Sequence, residues 1–329
     1  MRQFNAVMMD ALRLLRARVL FWITLGISAF AALIYLSIGF NESGISVLFG
    51  LRTVENEFLV AGSVYAEQFY LAIFGMFIVN VWLSWIAIIL ALISCAPVFP
   101  EFSQEGSAGA ALCKPISRWR LFSYKYLTGL LFAALQTTVF CIIVFFALKL
   151  RLGHWNPSVF WAVPLIVIMF SYIWAVTTLV GIKTKSVMAA VLASIAFWFC
   201  CWLAKTVEES NYSRAELGVS MTIMGPVELT EEEQLEAKAS YPLYSLPFKI
   251  LPKTTDTVNL LQRWIVVRGE SEFSATEIAN MAALGEPVRD EQVEEGLKRH
   301  SAFFILASSL AFEFVVLLAS GWMFCRRDF

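Results

Sequence analysis

The chain has 329 residues, of which 59% are hydrophobic and only 16% are charged, and its formal net charge is −1. A soluble domain typically has about 25% charged residues, so the composition excludes an ordinary soluble protein. The near-neutral sum carries little information in itself, because the position of the charges along the chain matters more. We expect membrane lipid as the surroundings and no nucleic-acid partner.

The first 18 residues have the pattern of an amphipathic helix. Apolar residues recur at three- and four-residue spacing, and Arg2, Arg13 and Arg16 gather on the opposite face. Such a helix lies along the inner leaflet with its arginines toward anionic headgroups. The segment over 1–18 is therefore predicted to be an interfacial helix, which either only anchors the chain or also contacts a cytoplasmic partner.

Six apolar stretches follow, each of about 20 or more residues, which at ~1.5 Å per residue covers the ~30 Å hydrocarbon core. They are Val19–Ile38, Phe69–Ser94, Leu127–Leu148, Val159–Val180, Ser186–Leu203 and Ser301–Phe324. Backbone amides in lipid have no water to bond, so these stretches must be helical. The predicted fold is an all-α membrane protein with six transmembrane helices.

Basic residues place both termini in the cytoplasm. They cluster in the N-terminal segment, around Arg118, at Lys183 and Lys185, and at Arg326 and Arg327. The positive-inside rule assigns all four clusters to the same side of a plasma (inner) membrane that the chain crosses several times. Lys149, Arg151 and Lys205 fall on the other side, where long side chains reach the outer headgroups.

The connector between the second and third spans is predicted to carry a short cytoplasmic helix over 100–115. Pro97 and Pro100 should end span two, and a row of small residues over 106–111 lets another surface approach closely. We interpret this helix as a docking element, whereas a merely solvated connector would not need that row. The docking candidates are Glu101, Glu105, Gly106, Ser107, Gly109, Pro115, Ser117 and Arg118.

The segment over 204–300 is the only part outside the spans that is large enough for a soluble subdomain. Thr230 with Glu233 forms a capping box for a helix to about Ala239. Pro242, Pro247 and Pro252 should then make the chain extended or turning. Thr255 or Asp256 caps a further helix with Val258 and Leu261 on one face. We expect this extracytoplasmic insertion to be mostly helical, with no strand alternation longer than a few residues.

Polar residues within the spans are candidates for a translocation path. Placing Glu313 in the membrane costs the most free energy, ~2.5–3.5 kcal/mol if its carboxyl group is ionised at mid-membrane. We expect it to face the protein interior and to bond Asn80 or Ser84 of span two, or a partner copy. Burying Asn80, Ser84 and Gln136 costs less free energy, and hydrogen bonds between helices, worth ~0.6 kcal/mol on average, explain these residues better than a translocation path does.

Sequence signatures of enzymes are missing. There is no G-x-x-x-x-G-K-[ST], no H-E-x-x-H and no G-x-S-x-G, and no cysteine–histidine group has metal-ligand spacing. The two histidines, His154 and His300, are far apart in sequence. We therefore predict no catalytic residue, no metal site and no cofactor on this chain, which we expect not to be an enzyme.

Two cytoplasmic segments carry a family resemblance. Glu105-Gly106-Ser107, Pro115-Ile116-Ser117-Arg118 and Lys125 resemble the connector of permease subunits of type-two ABC exporters, and Phe324-Cys325-Arg326-Arg327-Asp328-Phe329 is similar to their closing signature. The resemblance implies a partner ATPase that holds ATP and Mg, and a homodimer or a pair with a homologous permease. The chain departs from the family in its longer segment over 204–300 and in the alanine–glycine row.

Two alternatives remain open at this point. The chain could be a non-transporting membrane anchor or assembly factor, whose external segment recruits a partner. It could also be an ATP-independent transporter, although such proteins usually carry more intramembrane charges and symmetric halves.

Overall fold

The computed structural model describes residues 19–55, 59–102, 117–153, 155–222, 225–264 and 299–326. The predicted interfacial helix over 1–18, most of the predicted docking helix, and the tail after Arg326 lie outside these residues. Of the docking candidates, Glu105, Gly106, Ser107, Gly109 and Pro115 lie outside them too, whereas Glu101, Ser117 and Arg118 are described.

Most of the described chain is helical. In order, the α-helices are α1 (Val19–Leu36), α2 (Val64–Ile73), α3 (Ile88–Cys95), α4 (Val98–Phe102), α5 (Arg118–Leu152), α6 (Ala162–Thr184), α7 (Val187–Tyr212), α8 (Glu231–Tyr244), α9 (Leu246–Ile250), α10 (Thr254–Trp264) and α11 (Ala302–Arg326). Two π-helical stretches cover Phe74–Ala87 and Ser213–Leu217, and a 3₁₀ helix covers Pro157–Trp161.

Five helical segments are long and apolar enough to cross a bilayer. They are Val81–Phe102, Arg118–Leu152, Pro157–Thr184, Val187–Leu217 and Ala302–Arg326. In the first predicted span the described part of α1 has 18 residues, and the residues before Val19 lie outside the described ranges. The structure thus has the character of a multi-pass helical membrane protein, and the six-span layout stays a prediction.

Helix α6 lies at the centre of the bundle, where it contacts α5, α7, α10 and α11. Its Trp174 is fully buried and its indole Nε1 donates to the main-chain oxygen of Tyr126 at 3.1 Å. The close approach of α5 depends on Gly129, since a Cβ there would lie 2.6 Å from the Trp174 ring. Side-chain size at this crossing therefore fixes the position of α5 against α6.

Two short sheets lie at one end of the bundle, which we call the outer end. Strands β1 (Gly39–Asn41), β2 (Gly44–Val47) and β3 (Arg52–Glu55) form an antiparallel sheet in the order β1-β2-β3. Strands β4 (Val219–Thr222) and β5 (Gly225–Glu228) form a hairpin before α8. The opposite end, where α4, the start of α5 and the end of α11 meet, is the inner end. The described part of the insertion is mostly helical and also contains this hairpin, whereas residues 265–298 lie outside the described ranges.

Prolines interrupt the helices less than the sequence suggested. Pro100 lies inside α4, because span two breaks at a turn over residues 96–97 and then resumes. Pro242 lies inside α8 near its end, and Pro247 occupies the first turn of α9. The first turn of a helix has no intrahelical partner for its N–H groups, so proline is tolerated there. The expectation of an extended or turning chain was wrong at Pro242, whereas the chain does turn at Ser245 and bend at Leu251, just before Pro252.

Candidate functional site

Glu313 lies in the bundle interior at the middle of α11. Its side chain is 7% exposed, and both carboxyl oxygens have hydroxyl partners. Tyr126 of α5 contacts Oε1 at 2.8 Å, and Ser171 of α6 contacts Oε2 at 2.7 Å. Three helices therefore meet at one carboxyl group, and we call Glu313, Tyr126 and Ser171 the carboxyl cluster.

The interior position of Glu313 was predicted, but its partners were not. The sequence suggested Asn80 or Ser84 of span two, and the structure gives α5 and α6 instead. Asn80 lies in the π-helical stretch of span two, and its side chain is outside the part that the structure describes. Ser84 is buried elsewhere in the same stretch. A serine within the fourth predicted span and a tyrosine directly before the third were the sequence signals for the true partners, and spacing alone does not pair them.

Gln136, the remaining interior candidate, links α5 to α1. Its Nε2 donates to Ser28 Oγ at 2.9 Å, while its Oε1 is buried with no hydrogen-bond partner among the described residues. A second interhelical contact joins Thr177 of α6 to Ser194 of α7 at 2.7 Å. Such bonds are typical of helix packing in membranes. Gln136 therefore joins two helices by a hydrogen bond, and it is not part of the carboxyl cluster.

At the inner end, the two segments that carry the family resemblance meet. Ser117 caps α5, since its side chain accepts from the Arg120 main-chain N–H. The Arg118 guanidinium donates to the main-chain oxygen of Cys325 at 2.9 Å. Trp119 packs directly over Gly321 of α11, where any Cβ would clash with the indole. The start of α5 is thereby fastened to the end of α11.

Aromatic rings attach α4 to the same place. Phe324 of α11 packs against Phe99, Phe102 and Phe122, with ring centroids 6.2, 5.8 and 5.8 Å away. The Lys125 Nζ lies 4.1 Å from the centroid of the Phe102 ring. We call this group of four phenylalanines with Arg118 the inner junction. Glu101, on α4 beside it, is exposed.

Helix α10 closes the bundle at the outer end. It contacts α6, α7, α11 and the π-helical stretch of span two, and Thr257, Leu260 and Leu261 are fully or almost fully buried. Burial of Val258 and Leu261 confirms the apolar face predicted for this helix. The main-chain N–H of Lys253, just before α10, donates to Ser309 Oγ of α11 at 2.9 Å. Ser309 lies one helical turn before Glu313, so α10 is seated directly above the carboxyl cluster.

Ion pairs hold the outer elements together. Lys205 of α7 bonds Asp256 of α10 at 2.5 Å, so it does not extend to the headgroups as expected. Glu208 is 1% exposed and pairs with Arg299, and the Tyr241 hydroxyl donates to it at 2.7 Å. Burial and the Glu208 charge raise the pKa of Tyr241 to about 12. We call Glu208, Arg299 and Tyr241 the outer ion cluster.

His300 lies beside this cluster. Burial and the neighbouring Arg299 charge lower the pKa of its imidazole, more than Asp256 and Glu208 raise it. Within the described ranges, no three His, Cys, Asp or Glu side chains come close enough together to hold a metal ion. The chemistry available at these sites is hydrogen bonding, ion pairing and proton exchange.

Comparison of the chain with protein-family models, with curated proteins and with solved structures finds no match.

Proposed function

We propose that this chain is the permease subunit of an ATP-binding cassette transporter. It would couple ATP hydrolysis on a separate ATPase subunit, which binds ATP and Mg, to movement of a substrate across the membrane. The observation that carries the proposal is the inner junction. Two segments that are about 200 residues apart in sequence, and that independently resemble permease signatures, are joined there by the bond from Arg118 to Cys325.

In this proposal the inner junction transmits a displacement of the docking helix to the membrane spans. In the sequence, the segment predicted to be the docking helix connects α4 to α5, and both of these helices contact Phe324 and its neighbours. Arg118 is about two turns, or ~12 Å, from Tyr126 along α5, and Phe324 is ~16 Å from Glu313 along α11. A push on the docking helix would therefore reach the carboxyl cluster through two helices at once. Rigid helices with two packing arrangements are the elements through which such a switch acts.

The complete assembly would follow from the same resemblance. The chain would cross the plasma (inner) membrane six times with both termini in the cytoplasm, and α1 would be the first span. A second copy or a homologous permease would complete the path, with one ATPase docked on each. ATP binding would then bias the permease between two states, because the ATPases contact those states differently.

The experiment that tests this function uses an affinity-tagged full chain, co-expressed with an ATP-binding subunit encoded by a neighbouring reading frame. We expect the two to purify together and ATP hydrolysis to depend on the permease. Arg118→Ala should reduce the coupled hydrolysis about tenfold, since it removes a charge-assisted hydrogen bond of roughly 1.5 kcal/mol.

Arg120→Ala is the matched control, because Arg120 is exposed two residues further along the same helix. It should leave hydrolysis near the wild-type rate. If no ATPase subunit is retained, or if hydrolysis is insensitive to Arg118→Ala, the permease proposal fails and the chain is better described as a membrane anchor.

A further inference from the structure

The carboxyl cluster has more hydrogen-bond contacts than its hydroxyl protons can serve. The Tyr126 hydroxyl contacts Glu313 Oε1 at 2.8 Å and also the main-chain oxygen of Ser171 at 3.0 Å. The Ser171 hydroxyl contacts Glu313 Oε2 at 2.7 Å and also the main-chain oxygen of Ile168 at 2.7 Å. Each hydroxyl has one proton, and a main-chain oxygen can only accept.

A proton on Glu313 resolves most of this shortage. With an ionised carboxylate, two protons serve four oxygen–oxygen contacts, so two contacts at hydrogen-bond distance have no proton between them. With a neutral acid, the carboxyl O–H donates to one hydroxyl, and that hydroxyl is then free to donate to its main-chain oxygen. Three of the four contacts are then satisfied, which is the better arrangement for buried polar groups.

The charges around Glu313 agree with a neutral acid. Within the described part of the chain, no Lys, Arg or His forms an ion pair with it, and the titratable side chains that face it are phenols, Tyr126 and Tyr172. Lys125 directly precedes Tyr126 on α5, but its Nζ contacts the Phe102 ring, 4.1 Å from the centroid. Of the other charged groups on the segments around α11, Lys183 lies toward the inner end, and Lys205, Lys249, Lys253 and Asp256 lie toward the outer end. An unpaired carboxylate at this depth would be strongly unfavourable.

We propose that Glu313 is a proton-binding site, held as the neutral acid in the closed arrangement of the bundle and able to release its proton to water when the helices around it separate. This inference goes beyond the transport function above, because it requires only the bundle and no ATPase. It makes the opening of the bundle a proton-releasing step, since the carboxyl group would ionise once water replaced Tyr126 and Ser171 as its partners.

Access to the proton is controlled at both ends. On the outer side α10 is seated over the cluster by the bond from Lys253 to Ser309, and on the inner side the rings of the inner junction fill the space between α4, α5 and α11. Separation at either end would admit water to the carboxyl group. Because the closed state binds the proton more tightly, its population relative to the open state should rise with acidity, by up to tenfold per pH unit for one proton.

Infrared spectroscopy of the full chain in lipid nanodiscs tests the proton directly. We expect the difference between wild type and Glu313→Gln at pH 7 to contain the carbonyl stretch of a neutral carboxylic acid. Glu232→Gln is the matched control, because Glu232 is exposed in the first turn of α8 and should remove a carboxylate band only. Tyr126→Phe should keep the acid band and move it to higher frequency, since the acid loses one hydrogen bond.

Two results would overturn the inference. A carboxylate band in place of the acid band in the Glu313→Gln difference would mean that Glu313 is ionised. An acid band that neither Tyr126→Phe nor Ser171→Ala moves would mean that the acid is not bonded in this cluster. Size-exclusion profiles identify any variant that fails to assemble, and Tyr126→Phe then gives the answer without Glu313→Gln. No ATPase takes part, so a negative result here leaves the permease proposal intact.

Discussion

Among the residues that the structure describes, two glutamates are almost fully buried, and they have opposite kinds of partner. Glu208, at the outer end of α7, is paired with the Arg299 guanidinium and the Tyr241 hydroxyl. Glu313, at the middle of α11, has only hydroxyl partners. An opposite charge lowers the free-energy cost of burying an ionised carboxylate, whereas a neutral acid needs no counter-ion. Burial alone therefore does not determine whether a glutamate is charged. The charge state depends on which groups are bonded to its carboxyl group.

The difference also follows the position of each residue in the chain. Arg299 lies three residues before α11, within the predicted extracytoplasmic segment over 204–300, so its cost of dehydration is limited. A guanidinium at the level of Glu313 would have to be brought into the hydrocarbon depth of the bundle, which is unfavourable even for a paired charge. Three predictions test how far the two sites and their surroundings differ.

The largest effect is expected from Glu208→Ala. It removes one partner of a buried ion pair and leaves Arg299 uncompensated, which should destabilise the outer elements by about 3–5 kcal/mol. Glu209→Ala is the control, because Glu209 is 57% exposed in its ion pair with Lys205 and should contribute ~0.5 kcal/mol or less. Thermal unfolding and protease cleavage within α8 and the β4–β5 hairpin measure both. Equal effects of the two changes would show that the outer ion cluster is not a buried charge pair.

A smaller effect is expected at Glu313. Glu313→Leu should cost about 1–3 kcal/mol, because Tyr126 and Ser171 each keep a main-chain acceptor after the carboxyl group is lost. Glu313→Gln keeps an acceptor and donor of similar shape and should be nearly neutral. The unfolding midpoints of the purified variants provide the measurement. A loss in Glu313→Gln as large as that in Glu208→Ala would mean that the two sites carry the same charge state.

The smallest effect is a pH dependence at His300. Its pKa is lowered in the folded chain, so the unfolded chain takes up a proton first as the pH falls. The stability that His300 contributes is present above its ordinary pKa of ~6.5 and is lost as the pH falls below that value. Unfolding midpoints between pH 8 and pH 5 should therefore decrease less in His300→Asn than in the wild type. Parallel pH profiles of the two proteins would contradict this assignment.

Local signals in the sequence were sufficient for some elements. Thr230 and Glu233 form the predicted capping box, with the Thr230 main-chain N–H donating to Glu233 Oε2 at 3.0 Å. The apolar stretches form helices because lipid leaves no alternative for the backbone. Both inferences depend on residues close together in sequence, or on the solvent, and therefore require no knowledge of packing.

Tertiary contacts could not be read from the same signals. Tyr126, Ser171 and Glu313 are separated by 45 and 142 residues, and only the crossing of α5, α6 and α11 brings them together. The β1–β3 sheet was missed as well, since strands of three or four residues give too little alternation to detect. Pro242 was misjudged because its helix continues for only two residues beyond it, where few hydrogen bonds are affected.

The π-helical stretch Phe74–Ala87 allows the length of span two to change. Each of its turns holds more residues than an α-turn, because the hydrogen bonds run from residue i to i+5. Converting even part of these 14 residues to α-geometry would lengthen span two. It would also rotate α3 and α4 about the axis of that span. Span two can therefore change its length by exchanging i to i+5 hydrogen bonds for i to i+4 bonds within the same helix.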